Sequence, residues 1–123
     1  REKALRNLRR EASLVLKSLK VNGWQSFMVT LVAGAAYIDW ESLYADLHAG
    51  EFLQLVREPG NPHDEFAIMV TDEPGNKMGY IPRFENKALA RQLDEGRQIC
   101  AVVLQVKKTR RVWQLYIEVF LRG

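Results

Sequence analysis

A chain of 123 residues, 47% hydrophobic and 27% charged, is long enough to bury one core without disulfides or metal, and its length suggests a single domain. The single cysteine, Cys100, excludes an intrachain disulfide and fits a cytoplasmic protein, and no apolar run approaches the roughly 20 residues that span a bilayer. The formal charge of +3 is uneven: residues 1–20 hold seven basic and two acidic groups, a net of +5, while the other 103 hold eleven and thirteen, a net of −2. Global charge therefore gives the body of the chain no support as a binder of polyanions; such a role needs a local patch. The sequence begins at Arg1 rather than Met, so residues are expected to precede it.

Residues 2–20 read as one amphipathic helix. Leu5, Leu8, Ala12, Val15, Leu16 and Leu19 share a face at helical spacing, Arg and Lys fill much of the other, and Asn22-Gly23 is a stop. This helix is expected to pack on the domain or pair with a copy of itself; its basic side is also a candidate phosphate-facing arm. A membrane-surface role is disfavoured, because residues 1–20 contain no aromatic anchor. Residues 25–34 alternate as a strand, ending in the small residues Gly34-Ala35-Ala36 before Tyr37. A short helix over 40–47 follows, with Asp39 at its cap and Gly50 beyond its end.

Two strands, at about 50–57 and 66–71, flank a stiff loop. Pro59 and Pro62 fix two φ angles and extend the residues before them, Gly60 permits a positive φ, and Asn61 and Asp64 have side chains that fold onto nearby backbone N–H groups. Such a loop costs little entropy to hold and presents Arg57, Asn61, His63 and Asp64 together. The same residue types are also the ordinary vocabulary of connections. Asp72-Glu73-Pro74-Gly75-Asn76 is a hairpin turn by composition, followed by a strand over 77–81, a helix over 85–94 and two long strands at 98–106 and 112–121. The last two join through Lys107, Lys108, Thr109, Arg110 and Arg111, a basic tip. Cys100 lies in a strand-like run and reads as a buried structural thiol. Trp24 and Trp113 read as packing residues. Six strands at near-hairpin separations argue for a small, partly closed antiparallel barrel, with the helix as residues 1–23 and the barrel as 24–123.

Several blocks together resemble the HIRAN domain family. They are Gly34-x-x-Tyr37, then Gly50-x-x-Leu53-x-Leu55-x-Arg57-Glu58-Pro59-x-Asn61-Pro62-His63-Asp64-x-x-Ala67-Ile68-x-Val70, then Gly79-Tyr80-Ile81-Pro82-Arg83 and Leu89-Ala90. The resemblance covers about residues 27–120 and leaves the N-terminal helix outside. It implies a mainly β fold: a six-stranded OB-like or SH3-like antiparallel barrel with two short inserted helices. It also implies a module that binds single-stranded DNA and captures its 3′-hydroxyl end, as such domains do in fork-remodelling translocases. On that resemblance the stacking tyrosine is Tyr37, the end-binding pair is Asn61 and Asp64 with His63 between them, and Tyr80 and Arg83 adjoin them. Two departures stand out: Ala36 where some relatives carry an arginine, and Phe66 where Asn is frequent.

The chemistry of these residue types agrees. An aromatic ring stacks on a base regardless of sequence. Arg57 and Arg83 suit phosphates, with Lys107, Lys108, Arg110 and Arg111 as further contacts. A carboxylate at Asp64 accepts the proton of a terminal hydroxyl and repels a phosphate. The expectation is thus a DNA-binding module for repair or fork processing, with no cofactor, metal or membrane. The alternative is a protein-interaction or regulatory module using helix 2–20. An enzyme is disfavoured, since there is no P-loop, no metal-binding carboxylate set and no nucleophile motif.

Overall fold

The computed structural model describes residues 1–34, 41, 46–110 and 112–123. Among them, six antiparallel strands form one sheet: β1 (Gln25–Leu31), β2 (Phe52–Arg57), β3 (Ile68–Thr71), β4 (Lys77–Tyr80), β5 (Gln98–Thr109) and β6 (Val112–Arg122). They pair in the order β1-β6-β5-β2-β3-β4. Helices α1 (Glu2–Arg9) and α2 (Ser13–Val21) precede the sheet; a 3-10 turn (Arg83–Glu85) and α3 (Lys87–Asp94) stand between β4 and β5. The mainly β, OB-like reading holds.

The two outer strands curl toward each other and meet at one point. Ala33, just beyond β1, exchanges both backbone N–H···O bonds with Tyr80 at the end of β4, each at 2.8 Å. This approach depends on Gly79. A Cβ there would lie 2.4 Å from the Ala33 carbonyl oxygen and 2.6 Å from Val32 Cγ1, and the residue's φ of +144° disfavours any side chain.

The barrel is filled by residues alternating along the strands. Ala101 and Val103 of β5 and Ile117, Val119 and Leu121 of β6 point inward, against Val32, Leu53, Ile68, Val70, Met78, Ile81 and Leu89. The residues between them, Val102, Leu104 and Phe120, are equally buried, but against Ala12, Leu16 and Leu19 of the N-terminal segment. Both faces of β5 and β6 are therefore covered, which explains their nearly continuous apolar sequence.

The N-terminal segment is two helices rather than one. After Arg9 the chain tightens, with i→i−3 bonds from Ala12 N–H to Arg9 and from Ser13 N–H to Arg10. The break lets Ala12 seat at 1% exposure, and it directs Arg9 into the sheet, where its guanidinium donates two 2.8 Å bonds to Glu118. Glu118 is fully buried on the outer face of β6 and also accepts from the Ser26 hydroxyl. Of the expected apolar face, Leu8, Ala12, Val15, Leu16 and Leu19 pack on the barrel, while Leu5 is half-buried and outside that cluster.

Other boundaries shift for local reasons. β3 starts at Ile68, because the Ala67 N–H turns back to the Asp64 carbonyl. The helix expected over 85–94 begins at Lys87, its first turn replaced by the 3-10 turn. Lys107 and Lys108 belong to β5, opposite Gln114 and Trp113, so the basic tip is shorter than expected, and Arg110 takes a positive φ of 54°. The turn at 72–76 forms as read, with the Asp72 carboxylate accepting from the N–H groups of Gly75 and Asn76. Trp24 and Trp113 pack against the two core clusters. Cys100, expected to be buried, is half-buried; desolvation pushes its thiol up to about 11, against the opposing charge of Arg122. The helix expected over 40–47 falls mostly outside the described residues.

Gly79→Ala combines overpacking with backbone strain and is expected to cost about 2–5 kcal/mol, read as a lowered urea midpoint with unchanged slope. Arg9→Ala strands the Glu118 charge and should cost about 2–4 kcal/mol, whereas Arg9→Met with Glu118→Leu should restore most of that loss.

Candidate functional site

The loop between β2 and β3 is built on its own polar side chains. Glu58 and Ala67 close its neck through a 3.0 Å backbone bond, and Glu58 to Asn61 forms a tight turn with Pro59 at its second position. Gly60 is not among the positive-φ glycines, so its conformational freedom goes unused here. Asn61 Oδ1 accepts from the N–H groups of His63 and Asp64, at 2.8 and 3.2 Å, and its amide nitrogen donates to Glu58 Oε1 at 3.1 Å. The same Glu58 oxygen accepts the Tyr80 hydroxyl at 2.8 Å, tying the loop to β4.

Asp64 is held from two sides. Its Oδ1 accepts the Phe66 N–H at 2.9 Å, and its Oδ2 accepts the side-chain amide of Asn86 at 2.7 Å. Asn86 is buried and occupies the cap position of α3, yet it makes no capping bond to its own helix. Burial by itself raises the Asp64 pKa. The Phe66 N–H, the Asn86 amide and the charges of Arg83 and Arg57 outweigh it and hold the carboxyl below its ordinary value. A carboxylate accepts about four hydrogen bonds, so two acceptor positions remain for a ligand.

These groups converge on one open concavity of about 390 Å³, walled by Ala33, Gly34, Asn61, His63, Asp64, Ala67, Lys77, Tyr80, Ile81 and Arg83. The barrel closure makes it, by bringing the end of β1 against Tyr80. Lys77 Nζ lies 4.5 Å from the centroid of the half-buried Tyr80 ring, adding a cation to the wall. Burial and the bond to Glu58 raise the Tyr80 pKa against the opposing Lys77 charge, keeping the phenol a neutral donor. Arg83 and His63 are exposed.

Of the residues expected at the site, Asn61, His63, Asp64, Tyr80 and Arg83 come together. Arg57 is committed elsewhere. Its guanidinium holds both carboxylate oxygens of Asp94 on α3, at 2.9 and 3.2 Å, and the Ala67 carbonyl at 2.9 Å, so it acts on Asp64 as a field. Lys107, Lys108 and Arg110 do not line this concavity, and Lys108 pairs with Glu41 at 2.9 Å. Tyr37, Ala36 and Arg111 lie outside the described residues. Sequence reading missed Glu58, Lys77 and Asn86. Glu58 sits inside the Arg-Glu-Pro block, and the signal for Asn86 was an Asn directly before a helix. Among the described residues, no group of three or more His, Cys, Asp or Glu side chains is placed to hold a metal, and no helix is long and apolar enough to cross a membrane.

A curled antiparallel barrel with an internally bonded loop beside its seam is the class of small β domain that these elements define. The HIRAN domain profile matches residues 25–121, and the chain belongs to that family. Two solved structures are similar to it. A protein from Lactobacillus plantarum aligns at 26% identity with a TM-score of 0.72, over 80% of this chain and 95% of that one. The HIRAN domain of human HLTF aligns at 26% identity with a TM-score of 0.65, over 83% and 81%. No curated protein sequence matches the chain.

The lowered pKa of Asp64 means that the folded state binds fewer protons than the unfolded chain near the ordinary carboxylate value of 3.8. Its contribution to stability is therefore present above that pH and lost as pH falls through the lower folded value. The stability gap between the native chain and Asp64→Asn should shrink below about pH 4, measured by urea unfolding across pH 3–7.

Proposed function

We propose that the chain is a DNA-binding module that captures the free 3′-hydroxyl end of single-stranded DNA, in repair or replication-fork processing in the cytoplasm, and does no catalysis itself. The observation that carries this reading is the pocket itself: an ionised carboxylate with spare acceptor capacity, beside an aromatic ring, with Arg83 and Lys77 in the same wall.

That combination suits an end rather than an internal stretch. Asp64 accepts the terminal hydroxyl proton, and its charge repels a phosphate in the same place. Tyr80 offers apolar surface to the terminal base, and Tyr37, three positions beyond Gly34 in the chain, supplies the stacking ring that the resemblance assigns to it. Arg83 and Lys77 take the preceding phosphate. His63 borders the hydroxyl. Arg57 holds the loop against α3, and Lys107, Lys108, Arg110 and Arg111 contact DNA more distantly. Membership of the HIRAN family supports nucleic acid as the ligand class.

One observation favours the alternative of self-association or partner binding through the N-terminal helices. Leu14 and Val21 on α2 are 82% and 85% exposed.

Fluorescence anisotropy with two oligonucleotides that differ only in a 3′-hydroxyl or a 3′-phosphate tests the reading at one fixed salt concentration. The hydroxyl end should bind roughly tenfold more tightly, the equivalent of one charge-assisted hydrogen bond. Asp64→Asn should erase most of that preference, and Tyr80→Leu should weaken both by about fivefold or more. Equal binding to both ends, indifferent to Asp64→Asn, overturns it. A concentration-dependent dimer without DNA binding would then favour the helix surface.

A further inference from the structure

The most exposed large hydrophobic side chain among the described residues is Phe84, at 88%. It is not a loose one. The 3-10 turn that carries it is closed by the Glu85 N–H donating to the Pro82 carbonyl at 3.0 Å, and Pro82 itself is buried. The Glu85 carboxylate accepts the Thr30 hydroxyl of β1, and the next residue, Asn86, is buried and bonded to Asp64. The turn is thus pinned to β1 on one side and to the end-binding loop on the other, and its one large apolar side chain points into solvent. Holding an aromatic ring out of the core forgoes its burial, so a rigid turn that does so has a surface to offer.

The surroundings of the ring say to what. A second concavity, of about 590 Å³, lies next to the first and shares Asn61, His63, Asp64 and Arg83 with it. Its far side is Phe84 with Phe66 and Lys87. Lys87 Nζ lies 5.4 Å from the centroid of the Phe66 ring, so an ammonium and two aromatic side chains line the same concavity. Glu65 is the other acidic member of the lining and is exposed at the rim. A strand whose end sits against Asp64 and leaves over Arg83 enters this concavity directly. Sequence-independent binding of single strands uses this pairing of cations with exposed rings.

We propose that Phe84 is a second stacking platform, carrying the base of a nucleotide upstream of the captured end, while Lys87 and Arg83 hold the phosphate between the two sites. This rests on the end-capture reading. It makes the module a reader of a short single-stranded tail rather than of a lone terminal nucleotide. It also gives Phe66 a role: its ring is one wall of the upstream site.

The test uses the full chain, Phe84→Ala and Lys87→Ala, with a 3′-hydroxyl oligonucleotide and a set carrying one abasic position at successive steps from the 3′ end. Phe84 is exposed, so its removal should leave the thermal midpoint unchanged. Phe84→Ala should weaken binding about tenfold while leaving the ratio of 3′-hydroxyl to 3′-phosphate affinity intact. One abasic position upstream of the end should weaken the native chain by a similar factor and make Phe84→Ala no worse, the non-additivity expected of a direct contact. Lys87→Ala should reduce the slope of log affinity against log salt by about one contact. If Phe84→Ala binds every oligonucleotide like the native chain while the hydroxyl preference persists, end capture stands and the second platform falls. A loss that no abasic position cancels also overturns the platform. If the native chain shows no hydroxyl preference but the Phe84 cycle is non-additive, the platform stands and end capture falls; if it binds no oligonucleotide, both fall.

Discussion

The architecture depends on one pair of backbone hydrogen bonds, between Ala33 and Tyr80. A six-stranded sheet in this order has β1 and β4 as free edges, and both would present unpaired N–H and C=O groups. Bringing them together needs one strand to approach another strand's backbone more closely than a Cβ allows, and Gly79 permits it. The seam does more than remove an edge. It places the backbone of Ala33 and Gly34, the ring of Tyr80 and the 57–68 loop around one concavity. The concavity is a by-product of closure.

Polarity at that surface is managed by internal bonding. Asn61 bridges three groups, Glu58 and Asp64 two each, and Asn86 is diverted from its cap position to steady Asp64. Each buried donor or acceptor satisfied this way avoids a desolvation cost of about 1–3 kcal/mol. A loop so braced holds its groups in one geometry before any ligand arrives. The bonds that lower the pKa of Asp64 are the same ones that shape the loop.

The N-terminal helices lie outside the family match, which begins at residue 25, yet they build a second core cluster on the sheet. Ala12, Leu16 and Leu19 cover the outer face of β5 and β6, and Arg9 neutralises a fully buried glutamate on that face. Glu118 without Arg9 would be an uncompensated charge in the interior, so the helices complete the fold rather than decorate it. The basic side of this stretch, also a candidate phosphate-facing arm by sequence, is at Arg9 a structural partner of Glu118.

By itself the sequence determined what depends on near neighbours. Strand alternation, the 72–76 turn, the apolar face of 2–20 and the side-chain folding of Asn61 and Asp64 were all legible there, because each needs residues only a few positions apart. The Arg-Glu-Pro-x-Asn-Pro-x-Asp and Gly-Tyr-Ile-Pro-Arg blocks made the family legible as well. Tertiary structure alone decided who pairs with whom at long range: Arg9 with Glu118, Arg57 with Asp94, Asn86 with Asp64 and Tyr80 with Glu58. Charges and amides carry no periodicity that names their partners, so Arg57 read as a phosphate ligand until closure set Asp94 beside it. The physical reason is that local conformation follows from sterics and hydrogen bonds along the chain, whereas partners across it follow from how the sheet curls and where its edges meet.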